Sequence, residues 1–511
     1  MTHPIDRIKT LALCMMLGAL SFSSLGFACD KPAKAGKVDL SHATLADLAA
    51  ALAAKKVTSV ELVRAYQQRI RHCDGELRSI ISLNPAALDD ARRLDAERAA
   101  GRLRGPLHGV PLVIKDNIDM AGTVTTAGSL ALADNLRERN APLVDRLVVA
   151  GVVVIAKANL SEWANFRSMW SSSGWSAVGG LAVNPRDPRR TACGSSSGSG
   201  TAVAAGLAPA AIGTETNGSV TCPSSVNGLV GIKPTVGLIS GEGIVPISHT
   251  QDTAGPMTTT VADTALLLAA LADPKRPVED YRGALDADAL KGTRLGVARF
   301  INGFSPQTDA VFNTALEVLK AQGAELIEIE TFDFADIGEH ELTLLLTEFK
   351  AGINAYLATA PTAVKTRTLE DLIVFNASEP RETTHFGQDL FVKAQATEGL
   401  DDPKYLNAFT RARLIAGKEG LDKLLAENRV VALVSPTYGP AWSIDLVNGD
   451  PSVASSTMLS AVSGYPHLTV PMDEVAGLPV GLSFMGPAWS EKTLLAIGHA
   501  FEQARARGPR K

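Results

Sequence analysis

Apolar residues recur at helical spacing in the first part of the chain. Leucines return every three or four residues from Leu45 to Leu52, which predicts a helix with one buried face. Similar spacing predicts a second helix at about 58–70, and a stretch rich in Ala, Arg, Asp and Glu predicts a third at about 85–100. These three elements indicate an N-terminal helical layer.

Continuous apolar runs replace the helical spacing after this layer. Residues 112–114 and 152–156 are entirely apolar, and the two runs end at Lys115 and Lys157. Runs without polar alternation are typical of strands that are covered on both faces. Strand and helix signals then alternate, which predicts an α/β fold with a mixed central sheet covered by helices on both faces.

A long helical pattern interrupts the strand signals in the second half. It extends from about residue 273 to 428, and apolar strand-like runs return at residue 430. Because the strand signals return after the helical stretch, one domain with an insertion is favoured over separate domains. The predicted boundaries are a single domain over 41–511, with a core at about 105–272 and 430–505 and a helical insertion at about 273–428.

The N-terminus has the features of a secretory signal. A short basic segment precedes an uncharged apolar run that ends in small residues at Ala28. This pattern predicts a signal peptide over 1–28, a linker over 29–40 and a periplasmic or secreted protein. The run is shorter than a comfortable membrane span, so no membrane span is expected. Cleavage before Cys29 would also allow a lipid anchor there.

Composition narrows the function classes. Of 511 residues, 46% are hydrophobic and 20% are charged, which excludes general disorder. The net charge of −5 provides no basic surface for nucleic acid. Cys193 and Cys222 lack the paired spacing of a metal site, so we expect buried reduced thiols, with a disulfide between them left open.

Two glycine- and serine-rich loops, 193–200 and 213–223, carry the candidate chemistry. Successive backbone N–H groups in such loops can converge on an anion, and a serine becomes a nucleophile when a base lies beside it. Ser196 stands in a G-x-S-x-G pattern that is typical of α/β-hydrolases, but loop-forming residues precede it where that motif needs a strand. A phosphate-binding loop is also disfavoured, since the lysine that such a loop needs is missing.

Lys115 is the candidate base. An unpaired ammonium is costly at the end of an apolar strand, and desolvation favours the neutral amine that can accept a proton. The residues alone leave an alternative open, which is an ordinary salt bridge to Asp116 or Asp119.

Together these segments resemble the amidase signature family. The resemblance lies in residues 113–117 around Lys115, in the loop at Ser195 and in residues 213–234, and it extends over nearly the whole mature chain. The insertion is most similar to that of bacterial peptide amidases, which remove ammonia from C-terminally amidated peptides. An amidase-signature fold is therefore expected.

The resemblance also implies residue roles. Ser219 matches the nucleophile, Lys115 the base, and Ser195 the serine that relays protons between them from a cis peptide bond. The family's oxyanion hole matches the backbone N–H groups of Thr216, Asn217, Gly218 and Ser219. Asn217 departs from the family pattern, where Gly or Asp is common. No cofactor or metal is expected.

The leading hypothesis is an exported serine amidase that hydrolyses C-terminal peptide amides, acting as a monomer or homodimer on a small-molecule or peptide substrate. A broader aliphatic or aryl amidase is the first alternative. A glutamine-hydrolysing component of a tRNA amidotransferase and a non-catalytic amidase-like binding protein are the others.

Overall fold

The computed structural model describes residues 34–276 and 279–507. The predicted signal peptide, the lipid-anchor position Cys29 and the start of the predicted linker therefore lie outside the described residues. The rest of that linker forms a short antiparallel hairpin of β1 (Lys34–Ala35) and β2 (Val38–Asp39).

Most of the remaining strands belong to one mixed sheet. In chain order the strands are β3 (Ile80–Leu83), β4 (Pro111–Lys115), β5 (Val153–Ala158), β6 (Trp175–Ser176), β7 (Gly180–Leu181), β8 (Ala210–Glu215), β9 (Val230–Lys233), β10 (Thr253–Thr258), β11 (Arg294–Ala298), β12 (Glu325–Ile329), β13 (Ala432–Pro436), β14 (His467–Val475) and β15 (Leu478–Met485). The central sheet has the order β12-β11-β13-β15-β14-β9-β10-β8-β4-β5-β3, and β6 pairs with β7 separately.

Helices surround this sheet. They are α1 (Leu45–Ala53), α2 (Ser59–Leu77), α3 (Ala87–Ala99), α4 (Pro142–Val149), α5 (Ser197–Ala204), α6 (Thr221–Val226), α7 (Val261–Leu271), α8 (Pro306–Ala321), α9 (Ile337–Ala358), α10 (Leu369–Ser378), α11 (Asp389–Gln395), α12 (Pro403–Arg413), α13 (Lys423–Asn428), α14 (Met458–Ser463) and α15 (Glu491–Arg507). A π-helical segment, Leu414–Asp422, joins α12 to α13. Among the described helices, none combines the length and the apolar character that a membrane crossing needs.

The central sheet forms the core of the domain. Every residue of β4, β5, β8, β10 and β13 is buried, as expected for strands with helices on both sides. The N-terminal helices start where capping boxes formed by Thr44 and Thr58 satisfy their first N–H groups. The predicted α/β fold with a mixed, helix-covered sheet is confirmed.

Two features differ from the sequence prediction, namely the start of the helical insertion and the composition of the N-terminal layer. Strands β11 and β12 lie inside the stretch assigned to the insertion, yet they pair with each other and with β13 in the central sheet. The stretch between sheet strands that is mainly helical is therefore 330–431 and not 273–428. The N-terminal layer also contains a strand, because β3 pairs with β5 at the edge of the sheet.

Candidate active site

Lys115 is the last residue of β4, between β5 and β8 in the sheet. Its side chain is fully buried, and Nζ lies 2.7 Å from the Ser195 Oγ and 2.9 Å from the Thr214 Oγ1. The fold thus places the amine against the first serine loop.

The salt-bridge alternative for Lys115 is wrong. Asp116 pairs instead with Lys157, with 3.0 Å between Oδ1 and Nζ. Asp119 pairs with Arg137, with 2.9 Å between Oδ2 and Nε. Successive side chains of a strand point to opposite faces, so the neighbouring carboxylate at the end of β4 is directed away from the lysine.

Burial lowers the pKa of Lys115 to about 7. The negative charges of Asp252 and Glu215 oppose this effect, since they favour the ammonium form. The amine is therefore neutral in a large fraction of molecules near neutral pH, which a proton acceptor requires.

Backbone contacts hold Ser195 in place. The Gly194–Ser195 peptide bond is cis, and the Ser195 carbonyl oxygen accepts a hydrogen bond of 3.0 Å from the Ser161 N–H. A side chain at Gly194 would collide with the Ser161 hydroxyl, so only glycine fits there.

Ser219 lies between β8 and α6. Its carbonyl oxygen accepts a hydrogen bond of 3.1 Å from the Ser196 N–H, which joins the two serine loops. The Glu215 carboxylate accepts from the N–H groups of Val220 and Thr221, at 2.8 and 2.9 Å, and thereby orients the start of α6. Ser219 itself is 8% exposed, at the wall of a cavity.

Ser196 has a structural role. Its hydroxyl donates to the Thr214 carbonyl oxygen at 3.1 Å and accepts from the Thr214 N–H at 3.2 Å. No strand directly precedes it. The hydroxyl in the G-x-S-x-G pattern is thus used to support the loop.

Residues 216–219 form the loop that directly follows β8, and their backbone N–H groups are available to a ligand. Within the described ranges, no protein acceptor is bonded to any of these four groups. Buried N–H groups are normally satisfied, so a run of free donors beside Ser219 can receive an oxyanion.

Comparison with known proteins identifies the family. A family model described as Amidase matches residues 61–495. The chain belongs to the amidase family. The solved structure of the peptide amidase from Stenotrophomonas maltophilia is 48% identical with a TM-score of 0.85, covering 92% of this chain and 98% of that one.

More distant relatives of this amidase include two kinds of enzyme. A probable amidase from Arabidopsis thaliana is 36% identical, over 91% of this chain and 90% of the relative. A component of the glutamyl-tRNA(Gln) amidotransferase from Chloroflexus aurantiacus is 35% identical, over 91% and 97%. The protein is accordingly an amidase that hydrolyses C–N bonds, which confirms the predicted enzyme class.

The side chain of Asn217 explains how this amidase accommodates its departure from the family pattern. The Asn217 Oδ1 accepts a hydrogen bond of 2.6 Å from the Thr457 Oγ1, and its Nδ2 donates to the Glu341 Oε1 at 2.9 Å. Both contacts lie within the protein. Neither contact uses the backbone N–H of Asn217, for which the described residues provide no acceptor.

Asp252 is an acidic residue whose charge acts on Lys115. Its carboxylate accepts from the Thr216 Oγ1 at 2.5 Å and from the N–H groups of Ile247 and Ser248 at 2.8 and 2.9 Å. Burial raises the pKa of Asp252 to about 6. The group remains ionised at pH 7, where its charge acts on Lys115.

A cavity of about 280 Å³ opens beside Ser219 in the amidase. Thr216 and Asn217, from the loop between β8 and Ser219, line it on one side. The remaining lining residues include Phe166, Leu345, Tyr438, Trp442 and Asp450, and the sequence alone did not predict them. These residues come from separate loops and from α9, and none stands in a short motif.

The expectation of reduced thiols was wrong. Cys193 and Cys222 are joined by a disulfide, with their Cα atoms 6.0 Å apart. The bond connects the residue two positions before Ser195 to the residue three positions after Ser219. A separation of 29 residues in sequence contained no information on this distance, which depends on the packing of the two loops.

No metal ligand set accompanies the site. The part of the chain that the structure describes contains no group of three His, Cys, Asp or Glu side chains able to hold an ion.

Proposed function

We propose that this amidase hydrolyses C-terminal carboxamides of peptides to the acid and ammonia through an acyl-enzyme on Ser219. The observation that carries the proposal is the buried hydrogen bond between Lys115 Nζ and Ser195 Oγ, next to a cavity that Ser219 lines. The similarity to a peptide amidase over nearly the full length supports the substrate class.

The proposed mechanism uses only side chains and backbone of this chain. Neutral Lys115 takes a proton through the Ser195 hydroxyl while the Ser219 Oγ forms a bond to the carboxamide carbon. The N–H groups of residues 216–219 stabilise the oxyanion of the tetrahedral intermediate. The C–N bond then breaks, and the relayed proton leaves with ammonia.

Deacylation repeats the same steps with water. Lys115 and Ser195 take a proton from a water molecule that attacks the ester carbon on Ser219. The second tetrahedral intermediate releases the carboxylic acid and returns the proton to the serine oxygen. The cycle needs no group beyond the protein and water.

The experiment is ammonia release by the purified mature chain beside Ser219→Ala. The substrates are an amidated dipeptide, glutamine, an aliphatic amide and an anilide. Release from the amidated dipeptide, lost by at least about a thousandfold in the variant, supports both the nucleophile and the substrate class. Ser196→Ala is the matched control. It should retain measurable release, because the Ser196 hydroxyl bonds to the Thr214 backbone and takes no part in the proposed chemistry.

Other outcomes separate the alternatives. Release only from the aliphatic amide and the anilide would favour a broad amidase. Release only from glutamine would favour the glutamine-hydrolysing alternative. Undiminished release by Ser219→Ala would refute the assignment of the nucleophile.

We further propose that residues 1–28 direct export and that the enzyme works in the periplasm or outside the cell. Support comes from the signal-like N-terminal pattern and from the Cys193–Cys222 disulfide, since such bonds persist in oxidising compartments. Fractionation of expressing cells, with N-terminal sequencing of the mature protein, tests this. Enzyme found only in the cytosol with its first residues intact would contradict export.

A further inference from the structure

The cavity beside Ser219 contains a carboxylate that the proposed mechanism does not use. Asp450 lies in the loop between β13 and α14 and lines this cavity. Its Oδ2 accepts a hydrogen bond of 3.0 Å from the Ser173 N–H, and its Oδ1 accepts one of 3.0 Å from the Trp442 Nε1–H. The Ser173 hydroxyl donates to it as well, so the carboxylate is held in place by neutral donors of Ser173 and Trp442.

Asp450 is without a counter-ion among the described residues. Across residues 34–276 and 279–507 it makes no ion pair with a lysine, arginine or histidine. Burial raises the pKa of Asp450, and only the hydrogen bonds from Ser173 and Trp442 oppose that effect. A largely buried carboxylate without a counter-ion is unfavourable, and an incoming cation would relieve that cost.

The carboxylate also has room for a further partner. An ionised carboxylate offers about four acceptor positions, and the Ser173 N–H, the Ser173 hydroxyl and the Trp442 Nε1–H use three of them. The wall around it is otherwise neutral, with apolar side chains such as Phe166, Leu345 and Val453. Asp450 is therefore the acidic or basic side chain that sets the sign of the charge on the lining of this cavity.

We propose that Asp450 is a specificity-determining residue that selects substrates with an ammonium or guanidinium group on the acyl side of the scissile carboxamide. The inference rests on the proposed function, because it names the substrates of that same site. The cation is either a lysine or arginine side chain or the free α-ammonium group of the substrate. A carboxylate at the same position of the substrate is disfavoured by charge repulsion.

The test compares kcat/KM for matched carboxamides on the same enzyme preparation at pH 7, where both the lysine side chain and a free α-amino group are mostly protonated. Nα-acetyl-lysine amide and Nα-acetyl-norleucine amide differ chiefly in the side-chain ammonium, and Nα-acetyl-glutamate α-amide reverses the charge. Leucine amide and Nα-acetyl-leucine amide examine the α-ammonium group. Ratios between substrates are independent of the fraction of folded enzyme, so a partly unstable variant remains informative.

The wild-type enzyme should prefer one cationic substrate over its neutral partner by about tenfold or more, as expected for a hydrogen bond between charged groups. Asp450→Asn keeps the shape of the side chain and should bring that ratio close to one. Asp445→Asn is the matched control, because it removes a carboxylate from the same loop that does not line the cavity. The control should keep the wild-type ratio.

The pair of substrates that shows the preference identifies the source of the cation. Turnover of the neutral amides without a preference in either pair would overturn this inference and leave the proposed function intact. An Asp450→Asn ratio equal to that of the wild type would overturn it as well. Absence of turnover with every carboxamide would overturn the proposed function and this inference together.

Discussion

The lowered pKa of Lys115 makes the pH dependence of the enzyme predictable. With a pKa of about 7, the amine is neutral in about a tenth of the molecules at pH 6 and in about nine tenths at pH 8. A lysine with the ordinary pKa near 10.4 would be neutral in less than about 1% of molecules at pH 8. We therefore expect kcat/KM to rise about tenfold between pH 6 and 8, with a midpoint near 7.

A charge change near the base tests whether Lys115 causes this rise. Asp252 raises the pKa of Lys115, since its negative charge stabilises the ammonium form. Asp252→Asn removes that charge and should lower the pKa, so the midpoint of the rise should move to lower pH. Activity relative to wild type is then expected to be higher at pH 6 than at pH 8.

The assay is ammonia release from an amidated dipeptide between pH 5.5 and 9 at constant ionic strength, with circular dichroism to verify folding at each pH. Asp445→Asn serves as the control, because it removes a carboxylate that does not act on the pKa of Lys115. A midpoint near pH 10 would refute the conclusion that Lys115 is largely neutral between pH 7 and 8. A shift to higher pH in Asp252→Asn would refute the electrostatic argument.

Two further predictions concern stability. Replacement of Cys193 and Cys222 together by alanine should lower the free energy of unfolding by about 3 to 4 kcal/mol in guanidinium titration, because the disulfide closes a loop of 29 residues; a loss below about 1 kcal/mol would contradict this. Asp263→Ala removes the carboxylate that accepts the first N–H groups of α1, at 2.9 and 3.2 Å. We expect this variant to lose about 1 to 3 kcal/mol in urea titration, and Asp263→Asn to lose less.

Much of the fold was predictable because the central strands are apolar without interruption. The runs ending at Lys115 and Lys157 were predicted as buried strands and lie in the sheet as β4 and β5. Strand β3 was missed, since its four residues are only half-buried at the edge of the sheet. Strand β12 was placed in the helical insertion, since it is mostly exposed or half-buried and lies between long helices.

The site was predictable only where it is local in sequence. Ser195 and Ser219 lie in two glycine-rich loops that can be recognised from composition and spacing. Trp442 and Asp450 come from a loop more than 200 residues further along, with no periodicity or motif, and only the folded chain brings them to the cavity. The disulfide escaped prediction for the same reason.

The central sheet and the outer segments contribute different residues to the cavity region. Lys115 is the end of a central strand, and the loop of residues 216–219 directly follows its neighbour β8, so neither can move without disturbing the core. Leu345 on α9 and Asp450 on the loop before α14 reach the same cavity from outside that framework. Laboratory evolution towards new amides should therefore randomise these outer positions and leave Lys115 and residues 216–219 unchanged.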